Sequence, residues 1–137
     1  MTRVVLFQIR DPKIKLARLT EAAASHFEKK ERLIIFVEDE KTLQYVDELL
    51  WKTPPSGFLP HIATDGLTEE LIAITNSKKN LNSAKMAFNL CSTPLLIDGP
   101  LKIIYDFEDL TSPHKKNLSS IRFDAYKQAQ FLIESRS

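Results

Sequence analysis

The chain reads as a layered α/β domain. Its first half alternates short runs of β-branched and large apolar residues with stretches of helical periodicity, giving strand, helix, strand, helix. The run Leu33-Ile34-Ile35-Phe36-Val37 is apolar without a break and flanked by charges, as suits a strand covered on both faces. Connections of this order form right-handed crossovers. The second half is richer in strand-like segments.

Residues 4–9 form the first predicted strand, which stops at Asp11-Pro12 because proline disfavours continuing a ladder. Over residues 14–30, Leu16, Leu19, Ala23 and Phe27 recur at three- and four-residue spacing and share one helical face. The apolar run at residues 33–37 is the candidate central strand. Glu38-Asp39-Glu40 then supplies a cap and negative charge at the start of a helix carrying Leu43, Val46, Leu49 and Leu50 and ending near Trp51.

Pro54, Pro55, Gly57 and Pro60 make residues 53–61 an irregular connection. Further strands are predicted at 71–74, 86–90 and 101–107, with a turn at Lys78-Lys79-Asn80. Leu95 to Ile97, between Pro94 and Gly99-Pro100, fits strand, turn or buried coil equally. Ser112-Pro113 starts the last helix, because serine caps free amides and proline is tolerated at the first helical position. Leu118, Arg122, Ala125, Ala129 and Leu132 mark out that helix.

With 137 residues, 43% of them hydrophobic and 27% charged, the chain fits one globular domain over residues 1–137. Nineteen basic against eighteen acidic residues leave a net charge of +1. No large positive field is available, so direct tight nucleic-acid binding is not expected. The charge is uneven, since residues 113–137 hold Lys115, Lys116, Arg122, Lys127 and Arg136 against Asp124 and Glu134, a balance that favours an acidic partner. The single cysteine, Cys91, excludes an intrachain disulfide and points to a reducing compartment. No apolar run approaches the roughly 18 residues of a membrane span, so a cytoplasmic location is expected.

The acids after residues 34–37 superficially match the strand and acidic pair that hold magnesium in nucleotide hydrolases. That chemistry also requires closely spaced glycines cradling phosphates, whereas Gly57, Gly66 and Gly99 lie far apart. Asp39 therefore reads as a helix cap. His26, His61 and His114 lack the paired spacing of a zinc site, and Cys91-Ser92 has no signature of an activated nucleophile. No catalytic residue, metal ligand or cofactor is expected.

Phe36-Val37-Glu38-Asp39-Glu40-Lys41, continued by Tyr45-Val46-Asp47-Glu48-Leu49-Leu50-Trp51 and Ser56-Gly57-Phe58-Leu59-Pro60-His61, resembles the chi subunits of bacterial DNA polymerase III. Arg122-Phe123-Asp124-Ala125-Tyr126-Lys127 is similar to that family's basic, aromatic C-terminal helix. The resemblance implies a three-layer α/β/α domain with a mixed, mostly parallel sheet, similar to nucleotide-binding folds but without a phosphate loop. It also implies a non-catalytic adaptor that bridges the clamp loader, through a psi-like partner, to the acidic C-terminal tail of the single-stranded DNA-binding protein.

By the same resemblance Phe58, with Trp51, Leu59 and Pro60, meets the psi-like partner or a helicase-like protein. Lys116, Arg122, Phe123, Tyr126 and Lys127 receive the acidic tail. Ser120 and Asp124 depart from the family pattern, which has basic residues there. Read from the residues alone, Trp51 fits a cover for the end of its helix better than a contact, and Phe123 or Tyr126 fits a place in the core equally well. The competing class is a nucleotide-dependent enzyme on a related α/β fold.

Overall fold

A computed structural model describes residues 2–52, 59–97 and 100–136. Its elements in chain order are β1 (Arg3–Ile9), α1 (Pro12–Glu28), β2 (Leu33–Phe36), α2 (Glu40–Lys52), β3 (Ile62–Ala63), β4 (Ile72–Thr75), β5 (Met86–Asn89), β6 (Ile103–Asp109), α3 (Pro113–Gln128) and β7 (Leu132–Arg136). The strands form one seven-stranded sheet in the order β3-β4-β2-β5-β6-β1-β7. Each pairing is parallel, so the antiparallel component of the expected mixed sheet is not found among the described residues.

Alternation along β1 explains the layering. Val5, Phe7 and Ile9 pack with Leu19 and Ala23 of α1 and Val46 and Leu50 of α2. Val4 and Leu6 pack on the opposite face with Tyr126 of α3 and with Leu81, Leu95 and Leu101 from the connections. β2 lies third in the sheet and is buried at every position, Leu33, Ile35 and Ile34, Phe36 going to opposite faces. The result is α1 and α2 over one face and α3 over the other, the expected three layers. Among the described residues no helix is long and apolar enough to cross a membrane.

Local chemistry sets the helix ends. The Lys13 amide donates to Asp11 Oδ1 at 2.9 Å and Pro12 opens α1, so Asp11-Pro12 starts this helix two residues ahead of Ile14 rather than only ending a strand. The Thr42 amide donates to Asp39 Oδ1 at 2.8 Å at the start of α2. The Lys115 amide donates to Ser112 Oγ at 3.2 Å at the start of α3.

Both long helices stop beside non-glycine residues in the left-handed region, Lys30 at φ 57° and Gln130 at φ 65°. The turn at Gln130 corrects the helical reading of Leu132. The chain reverses there and β7 adds beside β1, pairing Leu132 with Arg3. Leu95 to Ile97 has no regular structure, and Leu95 is buried.

Candidate functional site

Trp51 sits in the last turn of α2 and is 49% exposed. Its ring lies against that of His61, with centroids 4.3 Å apart. His61 is an internal clasp: Nδ1 is 2.8 Å from the Leu59 carbonyl oxygen and Nε2 is 2.9 Å from Asp47 Oδ1. It ties the chain entering β3 back to α2, which fixes one end of the 53–61 connection. Phe58 lies outside the described residues.

Leu59 corrects an expectation, because it is only 3% exposed and packs among Val46 and Leu50. Burying such a side chain contributes about 2 kcal/mol to the fold, so it serves the interior rather than a partner. Pro60 is half-buried. Among the described residues at this end, Trp51 is the exposed aromatic.

The inner side of α3 also departs from expectation. Arg122 is 7% exposed and Tyr126 is fully buried. Arg122 Nε lies 3.3 Å from Asp106 Oδ1 on β6, Nη1 donates to the Ser92 carbonyl at 3.3 Å, and Nη2 donates to the Phe107 carbonyl at 3.0 Å and to Ser119 Oγ at 3.2 Å. The Tyr126 hydroxyl donates to Asp106 Oδ2 at 2.6 Å and accepts from the Leu95 amide at 3.1 Å. Asn89 Nδ2 donates to the same carboxylate oxygen at 3.1 Å, and the Phe107 amide to Oδ1 at 2.7 Å.

Burial pushes the Asp106 carboxyl upward, opposed first by Arg122 and then by these hydrogen bonds. Every neighbour is a donor, the environment of an ionised carboxylate. Burial and the Asp106 charge raise the Tyr126 phenol, so it stays protonated as the donor. Arg122 and Tyr126 therefore bind α3 to the sheet, and neither lines the cavity on its outer side.

The outer side is different. Lys116, Ser119, Ser120, Phe123 and Asp124 line an open cavity of about 310 Å³ with Leu6, Phe107 and Glu108. Lys116 is exposed, Phe123 is half-buried, and Lys127 Nζ lies 5.5 Å from the Phe123 ring centroid. Of the expected tail-binding residues, the structure gathers Lys116, Phe123 and Lys127 here. The cavity has an apolar wall and a cation at its rim, with Asp124 and Glu108 as opposing charges.

Nucleotide-binding sheets of this layered kind hold ligands beyond the carboxyl ends of their strands. Here Asn89, Cys91, Asp106 and Arg122 line a crevice of about 160 Å³ at the ends of β5 and β6, and Lys15 is 3.4 Å from Asp109 across it. Burial, reinforced by Glu38, pushes the Cys91 thiol up to about 12, which leaves it a poor nucleophile at neutral pH. Among the described residues no group of three His, Cys, Asp or Glu side chains is placed to hold a metal ion.

The fold defines a layered α/β domain with a parallel sheet, an exposed aromatic at the end of α2 and an open cavity on the outer side of α3. The family model described as DNA polymerase III chi subunit, HolC, matches residues 1–134, and the chain belongs to that family. It is thereby an accessory subunit of DNA polymerase III. No curated protein sequence matches the chain.

Proposed function

We propose that this accessory subunit is a non-catalytic adaptor bridging the clamp loader, reached through a psi-like partner, to the acidic C-terminal tail of the single-stranded DNA-binding protein. The observation that carries the reading is the cavity on the outer side of α3, where Lys116 stands at the mouth and Phe123, Phe107 and Leu6 form an apolar wall. A tail ending in acidic residues and an aromatic ring matches both features: the ammonium attracts the carboxylates and the wall takes the ring. Asp124 and Glu108 oppose that attraction, so binding is modest and weakens with salt.

Titration of a synthetic acidic peptide ending in Asp-Phe tests this arm. Lys116→Glu weakens binding about tenfold, and Asp124→Lys strengthens it, by removing and adding an attractive charge. No binding by the wild type at low salt would sink the tail assignment.

The other arm rests on Trp51 and the connection that carries Phe58. A rigid exposed aromatic at a helix end is a natural anchor, with truncation costing about 2 kcal/mol when it fills a partner's pocket. Phe58→Ala and Trp51→Ala are each expected to release the psi-like or helicase-like partner in a pull-down. Magnesium-ATP is expected to leave the melting temperature unchanged, whereas a saturable upward shift would favour a nucleotide-dependent enzyme.

A further inference from the structure

Because the strands are parallel, their N-terminal ends emerge along one edge of the domain. Along that edge β2, β5, β6 and β1 are consecutive neighbours, in register at Leu33, Met86, Ile103 and Arg3. Arg32, Lys85 and Lys102 immediately precede the first three of those positions, and Arg3 opens the fourth strand. Neighbouring strands lie about 4.8 Å apart, so the backbones that carry these four cations span about 14 Å. They are tied together: the Lys102 amide donates to the Lys85 carbonyl at 2.7 Å, and the Arg3 amide to the Lys102 carbonyl at 2.8 Å.

Lys30, held in the left-handed region after α1, adds a fifth cation. With Arg32 and Lys85 it lines a concavity of about 460 Å³ that also includes Glu31, Leu71, Ser83 and Met86. Arg3, Lys30, Lys85 and Lys102 are exposed, and none has a carboxylate at ion-pair distance among the described residues. Glu31 is engaged by His26 at 3.1 Å. Arg32 pairs with Glu69 at 3.1 Å, but Glu69 is 95% exposed, and pairs of that kind are readily exchanged. Glu31, Glu69 and Glu70 stand at the β2–β4 end of this edge, so the cations without an acidic partner are concentrated at its β5–β6–β1 end, where Lys85, Lys102 and Arg3 lie.

We propose that this edge is a contact surface for the sugar–phosphate backbone of DNA. The cations are spread along strand ends held by the sheet, Arg3 one residue further along than the others, and have no donor set shaped for one base, which suits sequence-independent contact with successive phosphates. The proposal rests on membership of a DNA polymerase III family, which places the subunit beside DNA, and not on the tail-binding reading. The affinity of the isolated chain is weak, and the contact gains weight when the assembled polymerase raises the local DNA concentration.

Fluorescence anisotropy with the full chain tests it, using a labelled oligo-dT of about 20 nucleotides and a duplex of equal length across a salt series. If about four phosphates are neutralised, log K falls against log salt with a slope near −3 for the single strand and nearer −4 for the duplex. Whichever probe binds more tightly identifies the form of DNA. The double variant Lys85→Glu, Lys102→Glu weakens binding at least tenfold and flattens the slope. Lys41→Glu, the same change at the opposite edge of the sheet, shifts it less than twofold. The double variant still binds the acidic Asp-Phe peptide like wild type, which separates this contact from the tail site. Absence of binding to either DNA at low salt, binding that the double variant retains, or a polyglutamate peptide that outcompetes both DNAs for the edge would each overturn the proposal.

Discussion

Arg122 and Lys116 are both cations of α3, but Arg122 is 7% exposed and clamped against Asp106, whereas Lys116 stands exposed at the mouth of the outer cavity. Their aromatic companions divide the same way, Tyr126 inside and Phe123 half-buried on the cavity wall. One helix thus carries two basic-aromatic sets with opposite duties. A buried carboxylate recruits one set to hold the layers together, and the other is left to meet a partner. Charge and ring content do not distinguish structural from functional residues here; the position of Asp106 does.

Removing one member of a buried pair is the strongest way to break this comparison. Arg122→Met deprives the buried Asp106 of its cation and costs about 3–5 kcal/mol, whereas Lys116→Met changes stability by no more than about 0.5 kcal/mol. Urea denaturation of both variants checks this, and equal costs would erase the distinction between the two sides.

A smaller effect sharpens the inner side. Tyr126→Phe keeps the ring but removes the hydroxyl that donates to Asp106 and accepts from Leu95. The expected loss is about 1–3 kcal/mol, with the Leu95 amide left unpaired. Peptide affinity at the outer cavity is expected to stay unchanged in that variant, measured by the same titration that reads Lys116.

The smallest effect is a pH slope on the other face of the sheet. His26 Nε2 lies 3.1 Å from the Tyr105 hydroxyl and Nδ1 lies 3.1 Å from Glu31. Burial holds its imidazole below the ordinary 6.5, partly offset by Glu31, with Lys29 adding to the lowering. The unfolded chain then takes up this proton before the folded one does. Stability is full above about pH 6.5 and declines on acidification until the folded value is passed. Denaturation midpoints at stepped pH should show that decline in the wild type and lose it in His26→Gln.

Much of the fold was legible because its signals are local. The apolar run at residues 33–37 is β2, and the caps Asp39 and Ser112 stand where the sequence places helix starts. β7 escaped because the chain turns after α3 at Gln130, a residue type that gives no warning of a left-handed turn. β3 has only two residues, too few for any period. The uniformly parallel pairing depends on which strands meet across long connections, which periodicity does not report.

The candidate site was legible in part. Helical spacing groups residues by face but does not say which face meets a buried acid. One signal was available: Asp106 interrupts the apolar run from Ile103 to Phe107 at an inward position, and a carboxylate there requires a cation and hydrogen-bond donors. Arg122 and Tyr126 are those partners. Leu59 was misjudged for a related reason, since a leucine next to a proline-rich connection reads the same whether it faces in or out.

β1 sits between β6 and β7, pairing Arg3 with Ile103 on one side and with Leu132 on the other. β1 is therefore made long before either of its neighbours. β4, β2 and β5 are drawn from the middle of the chain and can associate while the opening segment still waits. Such distant pairing slows folding, and it leaves Val4 through Phe7 as a bare apolar stretch on the nascent polypeptide.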